Sequence, residues 1–140
     1  MSGILIVDDN QSIRHLLRSF VENKTKFPVC GEAANGMEAI EQATQLQPDL
    51  VLLDLSMPIL NGAEAAVVLK RMMPQTKILL FTMHAEDIGA ALLTAAHIDL
   101  VLSKTDGLLH LDEHLNALLM PTVDAQIAAK VPMPGDATPN

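Results

Sequence analysis

Apolar residues fall along this chain in two alternating rhythms. Ile4-Leu5-Ile6-Val7 is a continuous apolar run, as expected of a strand covered on both faces. The segment after it spaces Ile13, Leu16, Leu17, Phe20 and Val21 at helical intervals. Val29 to Ala33 reads as a second strand, and Asn35-Gly36 as the turn before a helix through Ala39, Ile40 and Ala43. Asp49 to Leu53 is another buried strand. Pro58 and Asn61-Gly62 punctuate the chain before a helix from about Ala63 to Met73, with Pro74 just past its end. Lys77 to Phe81 and Ile98 to Leu102 read as strands four and five, with a helix between them over Glu86 to Ala96. A last helix runs through Leu108, Leu111, Leu115, Leu118 and Leu119. Five strands alternating with five helices imply an α/β fold: right-handed crossovers and a doubly wound parallel sheet with helices on both faces. Residues 1–120 form the domain. Residues 121–140, with Pro132, Pro134, Gly135 and Pro139, read as a flexible tail.

Composition narrows the class. The chain has 140 residues, the size of one domain. It is 49% hydrophobic yet has no Trp or Tyr and three Phe, so the core must be aliphatic. No apolar run approaches the ~18–20 residues a bilayer span needs, and the start lacks a charged region ahead of an apolar stretch. A soluble, unexported, cytoplasmic protein is expected. The single Cys30 rules out an internal disulfide, fits a reducing compartment, and reads as a small apolar residue in a buried strand. The net charge of −8 and nine scattered basic residues argue against direct nucleic-acid binding.

Chemistry concentrates where the strands end. In a parallel α/β sheet, ligands bind at the carboxyl ends of the strands. Asp8 and Asp9 follow strand one, Asp54 follows strand three, Thr82 ends strand four, and Ser103-Lys104 ends strand five. Each alone has an ordinary explanation: Asp8 or Asp9 could cap the helix near Gln11, Thr82 could be a cap, and Lys104 a solvated charge. Their convergence on one edge is harder to dismiss. Three close carboxylates repel unless a cation or protons intervene. Oxygen ligands suit Mg²⁺, with Mn²⁺ able to substitute, and leave a position for a phosphate oxygen. The chemistry best supported is attack of an Asp carboxylate on phosphorus, with Lys and Thr holding the other oxygens.

These residues resemble the receiver domains of two-component signalling. The resemblance rests on Ile4-Leu5-Ile6-Val7-Asp8-Asp9, on Pro48 to Pro58 with Asp54 and Met57-Pro58, and on Asn61-Gly62. It continues through Ile78-Leu79-Leu80-Phe81-Thr82 and Leu102-Ser103-Lys104. It implies a flavodoxin-like (βα)5 fold with strand order 2-1-3-4-5. It also implies Asp54 as phosphoacceptor and Mg²⁺ bound by Asp9, Asp54 and the Ser56 backbone carbonyl, with Asp8 acting through metal-bound water. Thr82 would hydrogen-bond the phosphoryl group and Lys104 would pair with it. The donor would be a phosphohistidine on a sensor histidine kinase or phosphotransfer protein, or a small acyl phosphate. Slow hydrolysis of the chain's own aspartyl phosphate would reset it, so it is not a conventional enzyme.

Val29 to Gly36 and Phe81-Thr82-Met83-His84 are similar to the NarL/LuxR branch, whose members usually carry a C-terminal DNA-binding domain. Residues 121–140 are too few for one, so the chain is a stand-alone receiver or a receiver cut from its output domain. It departs from the family at Ala96 to Lys104: His97 and Leu100 replace glycines, and Val101 replaces the switch aromatic. Leu100 and Val101 lie between two leucine-rich helices. The face of helix four, strand five and helix five is therefore expected to bind an output partner or a second copy, the alternative being that these leucines are all core. His84 is expected to border the pocket. His110 and His114 stand at i, i+4, a spacing that could bind a transition metal but reads better as a solvated helix face. Three other readings explain fewer of these residues. They are a phosphorylation-incompetent pseudo-receiver that only binds proteins, a phosphatase with Ser56 where a general acid is wanted, and a flavodoxin-like cofactor binder.

Overall fold

The computed structural model describes residues 2–83, 97–104 and 107–120. The elements are β1 (Ile4–Val7), α1 (Gln11–Lys24), β2 (Val29–Ala33), α2 (Gly36–Leu46), β3 (Leu50–Asp54), α3 (Gly62–Met72), β4 (Lys77–Thr82) and β5 (Leu100–Ser103). A 3-10 turn (Gly107–His110) leads into the last helix (Leu111–Leu119). The helix expected over 86–96 and the tail 121–140 lie outside the described residues.

All strand pairs are parallel, and the order is β2-β1-β3-β4-β5. This is the doubly wound arrangement implied by the alternation and the resemblance. Every residue of β1 and β3 is buried, which is why these strands read as unbroken apolar runs. Side chains alternate across the sheet and feed two cores. On one face Leu5, Val7, Val51, Leu53 and Leu80 meet Ala39, Ala43, Ala65, Ala66 and Leu69 from α2 and α3. On the other, Ile4, Ile6, Leu50, Leu52, Leu79 and Phe81 meet Leu17 and Val21 of α1 and Leu111 and Leu115 of the last helix. Burying each large aliphatic side chain contributes about 1.5–3 kcal/mol, so the core tolerates the shortage of aromatics.

One expectation changes. Cys30 is only half-buried, because β2 is an edge strand whose residues are mostly partly exposed. Burial still pushes its thiol pKa up, away from reactive thiolate. Leu100 and Val101, also on an edge strand, pack against opposite cores. Both stay partly exposed, whereas Leu111 and Leu115 are fully buried and Leu109 is 76% exposed. The fourth helix of the expected interaction face lies outside the described residues. Among the described residues, no helix is long and apolar enough to cross a membrane.

Candidate functional site

Parallel strands all end on the same edge, so β1, β3, β4 and β5 deliver Asp8, Asp9, Asp54, Thr82 and Lys104 to one place. The cleft there measures about 570 Å³ and is lined by these five with Asn10, Ile13, Ser56 and Met83. Asp8, Asp9, Asp54, Ser56, Thr82 and Lys104 are thus brought together in one cleft. His84 lies outside the described residues.

Asp8 is 1% exposed and Asp9 is exposed. Neither caps α1. Asn10 does, its side-chain oxygen accepting from the Ile13 amide at 3.0 Å, while Asp8 Oδ1 accepts from the Asn10 amide at 2.9 Å. The acids after β1 are thus released from helix duty and held for the cleft. Asp54, the last residue of β3, is buried. Lys104 Nζ lies 2.9 Å from Asp8 Oδ2 and 3.0 Å from Asp54 Oδ1, so it is not a solvated charge. Its amide donates to the Thr82 carbonyl at 2.7 Å, which ties the ends of β4 and β5 together.

The electrostatics follow from this packing. Burial raises the pKa of Asp54; the Lys104 hydrogen bond opposes this, and the charges of Asp8 and Asp9 add to it. Burial disfavours the Lys104 ammonium, but its hydrogen bonds to Asp8 and Asp54 outweigh that and raise its pKa. One ammonium faces three carboxylates. Asp8, Asp9 and Asp54 can each offer an oxygen within 4.8 Å of the others, a hard-oxygen set suited to Mg²⁺. His110 and His114 belong to no such cluster among the described residues. His110 is exposed, with Nδ1 3.5 Å from Glu113.

The loop after Asp54 is shaped by backbone contact. The Gly62 amide donates to the Leu55 carbonyl at 2.9 Å, and a Cβ on Gly62 would collide with the Asp54 carbonyl oxygen. Gly36 at the start of α2 donates to the Leu60 carbonyl at 3.1 Å, an approach that a side chain on it would block. Asn61 and Glu64 form a capping box that starts α3. Between these anchors Ile59 adopts φ +70°, unusual for a β-branched residue, and is 76% exposed.

One residue at the site was not anticipated. Arg14 of α1 donates from Nη1 to the Asp8 carbonyl at 2.7 Å and from Nε to Glu32 Oε1 at 3.2 Å. Its only sequence signal is a place on the polar face of an amphipathic helix, one turn from Arg18.

The chain matches the response regulator receiver domain family over residues 4–116. It is 37% identical over 102 residues to the response regulator protein VraR of Staphylococcus aureus, covering 73% of this chain and 49% of that one. The chain thus spans about half the length of the curated relatives it matches. Among solved structures it is similar to response regulator protein TrrA of Thermotoga maritima, solved in complex with Mg(2+)-BeF. That match has a TM-score of 0.76 and 30% identity, covering 85% of this chain and 100% of that one. It is also similar to a two-component response regulator of the LuxR family from Aurantimonas sp. SI85-9A1. There the TM-score is 0.73 and the identity 28%, over 91% of this chain and 95% of the other.

Proposed function

The chain belongs to the response regulator receiver domain family, and on that premise we propose that it is a Mg²⁺-dependent switch whose phosphoacceptor is Asp54. The observation that carries this reading is the triad of Asp8, Asp9 and Asp54, with Lys104 bridging Asp8 and Asp54. Asp9, Asp54 and the Ser56 carbonyl would hold the metal directly, and Asp8 through a water. Mn²⁺ suits the same oxygens. The metal, when bound, neutralises charge that builds on the phosphoryl oxygens. An Asp54 carboxylate oxygen attacks phosphorus, forming a P–O bond as the bond to the donor breaks. The donor is a phosphohistidine on a sensor histidine kinase or phosphotransfer protein, or a small acyl phosphate.

Lys104 sits where it can leave Asp8 for a phosphoryl oxygen, and Thr82 at the end of β4 supplies a hydroxyl to another. Slow hydrolysis of the acyl phosphate resets the switch. Residues 1–120 are the receiver, and output passes through the side that carries β5 and the last helix, to a partner or a second copy. With Val101 in place of a large ring, the signal there travels without an aromatic rotor. The acidity of the chain leaves any DNA contact to another domain or protein. The single cysteine fits a reducing, cytoplasmic setting.

Incubation with Mg²⁺ and acetyl phosphate, followed by intact mass and sedimentation, tests this. The expected result is a gain of one phosphoryl group that Asp54→Asn abolishes. No gain from several donors, with no Mg²⁺ uptake, would favour a phosphorylation-incompetent module that acts by protein contact alone.

A further inference from the structure

We propose that Arg14 is a positioning residue for the metal: clamped by Glu32, its guanidinium holds the Asp8 carbonyl and thereby fixes the Asp8-Asp9 peptide. The inference rests on the function proposed above and names a part of that site beyond the acids and Lys104.

The Asp8 backbone leaves the sheet between two anchors. Its amide donates to the Ala33 carbonyl of β2 at 3.1 Å, and its carbonyl accepts from Arg14 Nη1 at 2.7 Å. That carbonyl belongs to the peptide plane joining Asp8 to Asp9, so its direction sets where Asp9 begins. Asp9 is exposed, and side-chain packing cannot hold it. The backbone must do so. Arg14 can serve because it is itself immobilised. Its side chain is 16% exposed, and its Nε donates to Glu32 Oε1. Glu32 is held in turn by Arg18, whose Nη1 donates to Oε2 at 2.6 Å. A planar guanidinium can point two donors in fixed directions at once, which an ammonium on a flexible stem cannot. Asp8, Arg14 and Glu32 thus link the metal loop to the sheet edge through one rigid group.

The sign of one measurement separates positioning from mere charge. Arg14 is a cation beside a divalent-cation site, so if it acted only through its charge, removing it would tighten Mg²⁺ binding. If it positions the loop, removing it weakens binding. Titration calorimetry of the full chain with Mg²⁺ alone is the readout, with thermal melts checking that each variant folds. Arg14→Met should weaken Mg²⁺ about tenfold, in the range found when groups that orient metal ligands are removed. Phosphorylation by acetyl phosphate should recover at saturating Mg²⁺. Arg14→Lys should recover part of the affinity, and Arg18→Met, which loosens Glu32 but leaves both Arg14 contacts in place, should weaken binding less than Arg14→Met does.

Unchanged or tighter binding by a folded Arg14→Met overturns the proposal. Should that variant fail to fold, Glu32→Gln keeps Arg14 but weakens its clamp, and wild-type affinity there overturns the proposal equally. A wild type that takes up no Mg²⁺ removes the proposed Mg²⁺-dependent switch itself. A wild type that binds Mg²⁺ beside an unaffected Arg14→Met removes only this inference.

Discussion

Acidic residues stand at both edges of the same sheet, and they are treated in opposite ways. At the edge where the strands begin, Asp49 and Asp99 make matching clasps. The Asp49 amide donates to the Gly3 carbonyl at 2.8 Å, and its Oδ2 accepts from the Gly3 amide at 2.7 Å. Asp99 does the same with Ile78, at 2.9 and 2.7 Å. Asp99 also meets Lys70 at 2.8 Å, and Lys70 donates onward to the Thr76 carbonyl at 2.7 Å. These carboxylates staple neighbouring strand starts. At the edge where the strands end, three acids stand together and the ammonium of Lys104 pairs with two of them, Asp8 and Asp54. A cleft of about 610 Å³ exists at the first edge too, lined in part by Lys70, Arg71, His97 and Asp99, but its one carboxylate is already paired with Lys70. Carboxylates in excess of their cations, not cleft size, mark the working edge.

The sharpest way to break this comparison is to exchange the expected roles of the two acids. Asp99→Ala strands the Ile78 amide and the largely buried Lys70, and should cost about 2–3 kcal/mol of stability by urea unfolding. Its Mg²⁺ affinity should not move. A large loss of metal binding there would show that the two edges are not independent.

Asp9→Asn should do the reverse. Without metal it relieves repulsion at the crowded edge and raises the melting temperature. With metal it should bind Mg²⁺ at least about tenfold more weakly, since it removes a ligand rather than a group behind one. Wild type should gain about 2.7 kcal/mol at a hundred times its Kd, and the variant markedly less at the same concentration. Thermal melts with and without Mg²⁺ read both signs. An Asp9→Asn that melts lower than wild type without metal would mean the acids were not in conflict.

The working edge was legible because strand ends inherit their position from apolar runs. Once β1, β3, β4 and β5 are placed, Asp8, Asp9, Asp54, Thr82 and Lys104 follow. The stapled edge was not legible. Asp49 and Asp99 are single acids beside apolar runs, and nothing in their spacing says that a backbone amide across the sheet awaits them. Asn10 taking the cap from Asp8 and Asp9 was likewise hidden, because all three can cap and only the pull of the cleft decides. Arg14 needed the fold outright, since its partners lie in β2 and at the end of β1. The half-burial of Cys30 depended on β2 being an edge strand, which local pattern does not report.

A smaller effect separates two acids near the working edge by pH. Burial pushes Glu32 up, but hydrogen bonds from Arg18 and Arg14 more than offset it and hold its pKa below the usual 4.5. The folded state therefore binds this proton less tightly than the unfolded state. Its stabilisation is complete above the unfolded value and disappears as pH falls through the lower folded one. Asp54 has the opposite sign: its raised pKa makes a contribution that is full below the unfolded value and lost as pH rises through the folded one. Glu32→Gln should thus flatten the acid side of a stability–pH curve taken without divalent cations. Asp54→Asn should raise stability at neutral pH. A steeper acid limb in Glu32→Gln would contradict the ion-pair network around β2.

The finest contrast lies between two of the three described non-glycine residues with left-handed backbone: Ile59 at φ +70° and His97 at φ +53°, the third being Gln47 at the end of α2. A side chain in this region costs roughly 1–2 kcal/mol, most for β-branched residues, whereas glycine adopts it freely but loses about 0.5–1 kcal/mol more chain entropy on folding. Ile59 is 76% exposed, so little packing is lost on its removal. Ile59→Gly should therefore stabilise by about 0.5–1 kcal/mol. Histidine tolerates the region better, so His97→Gly should gain about half that. Chemical unfolding of both variants checks the order. If Ile59→Gly is stabilised yet phosphorylates more slowly at the same Mg²⁺ concentration, the strain after Asp54 serves the acceptor loop. If its rate is unchanged, the strained isoleucine is a tolerated cost, and the geometry of that loop is set by Gly62, Gly36 and the cap at Asn61 alone.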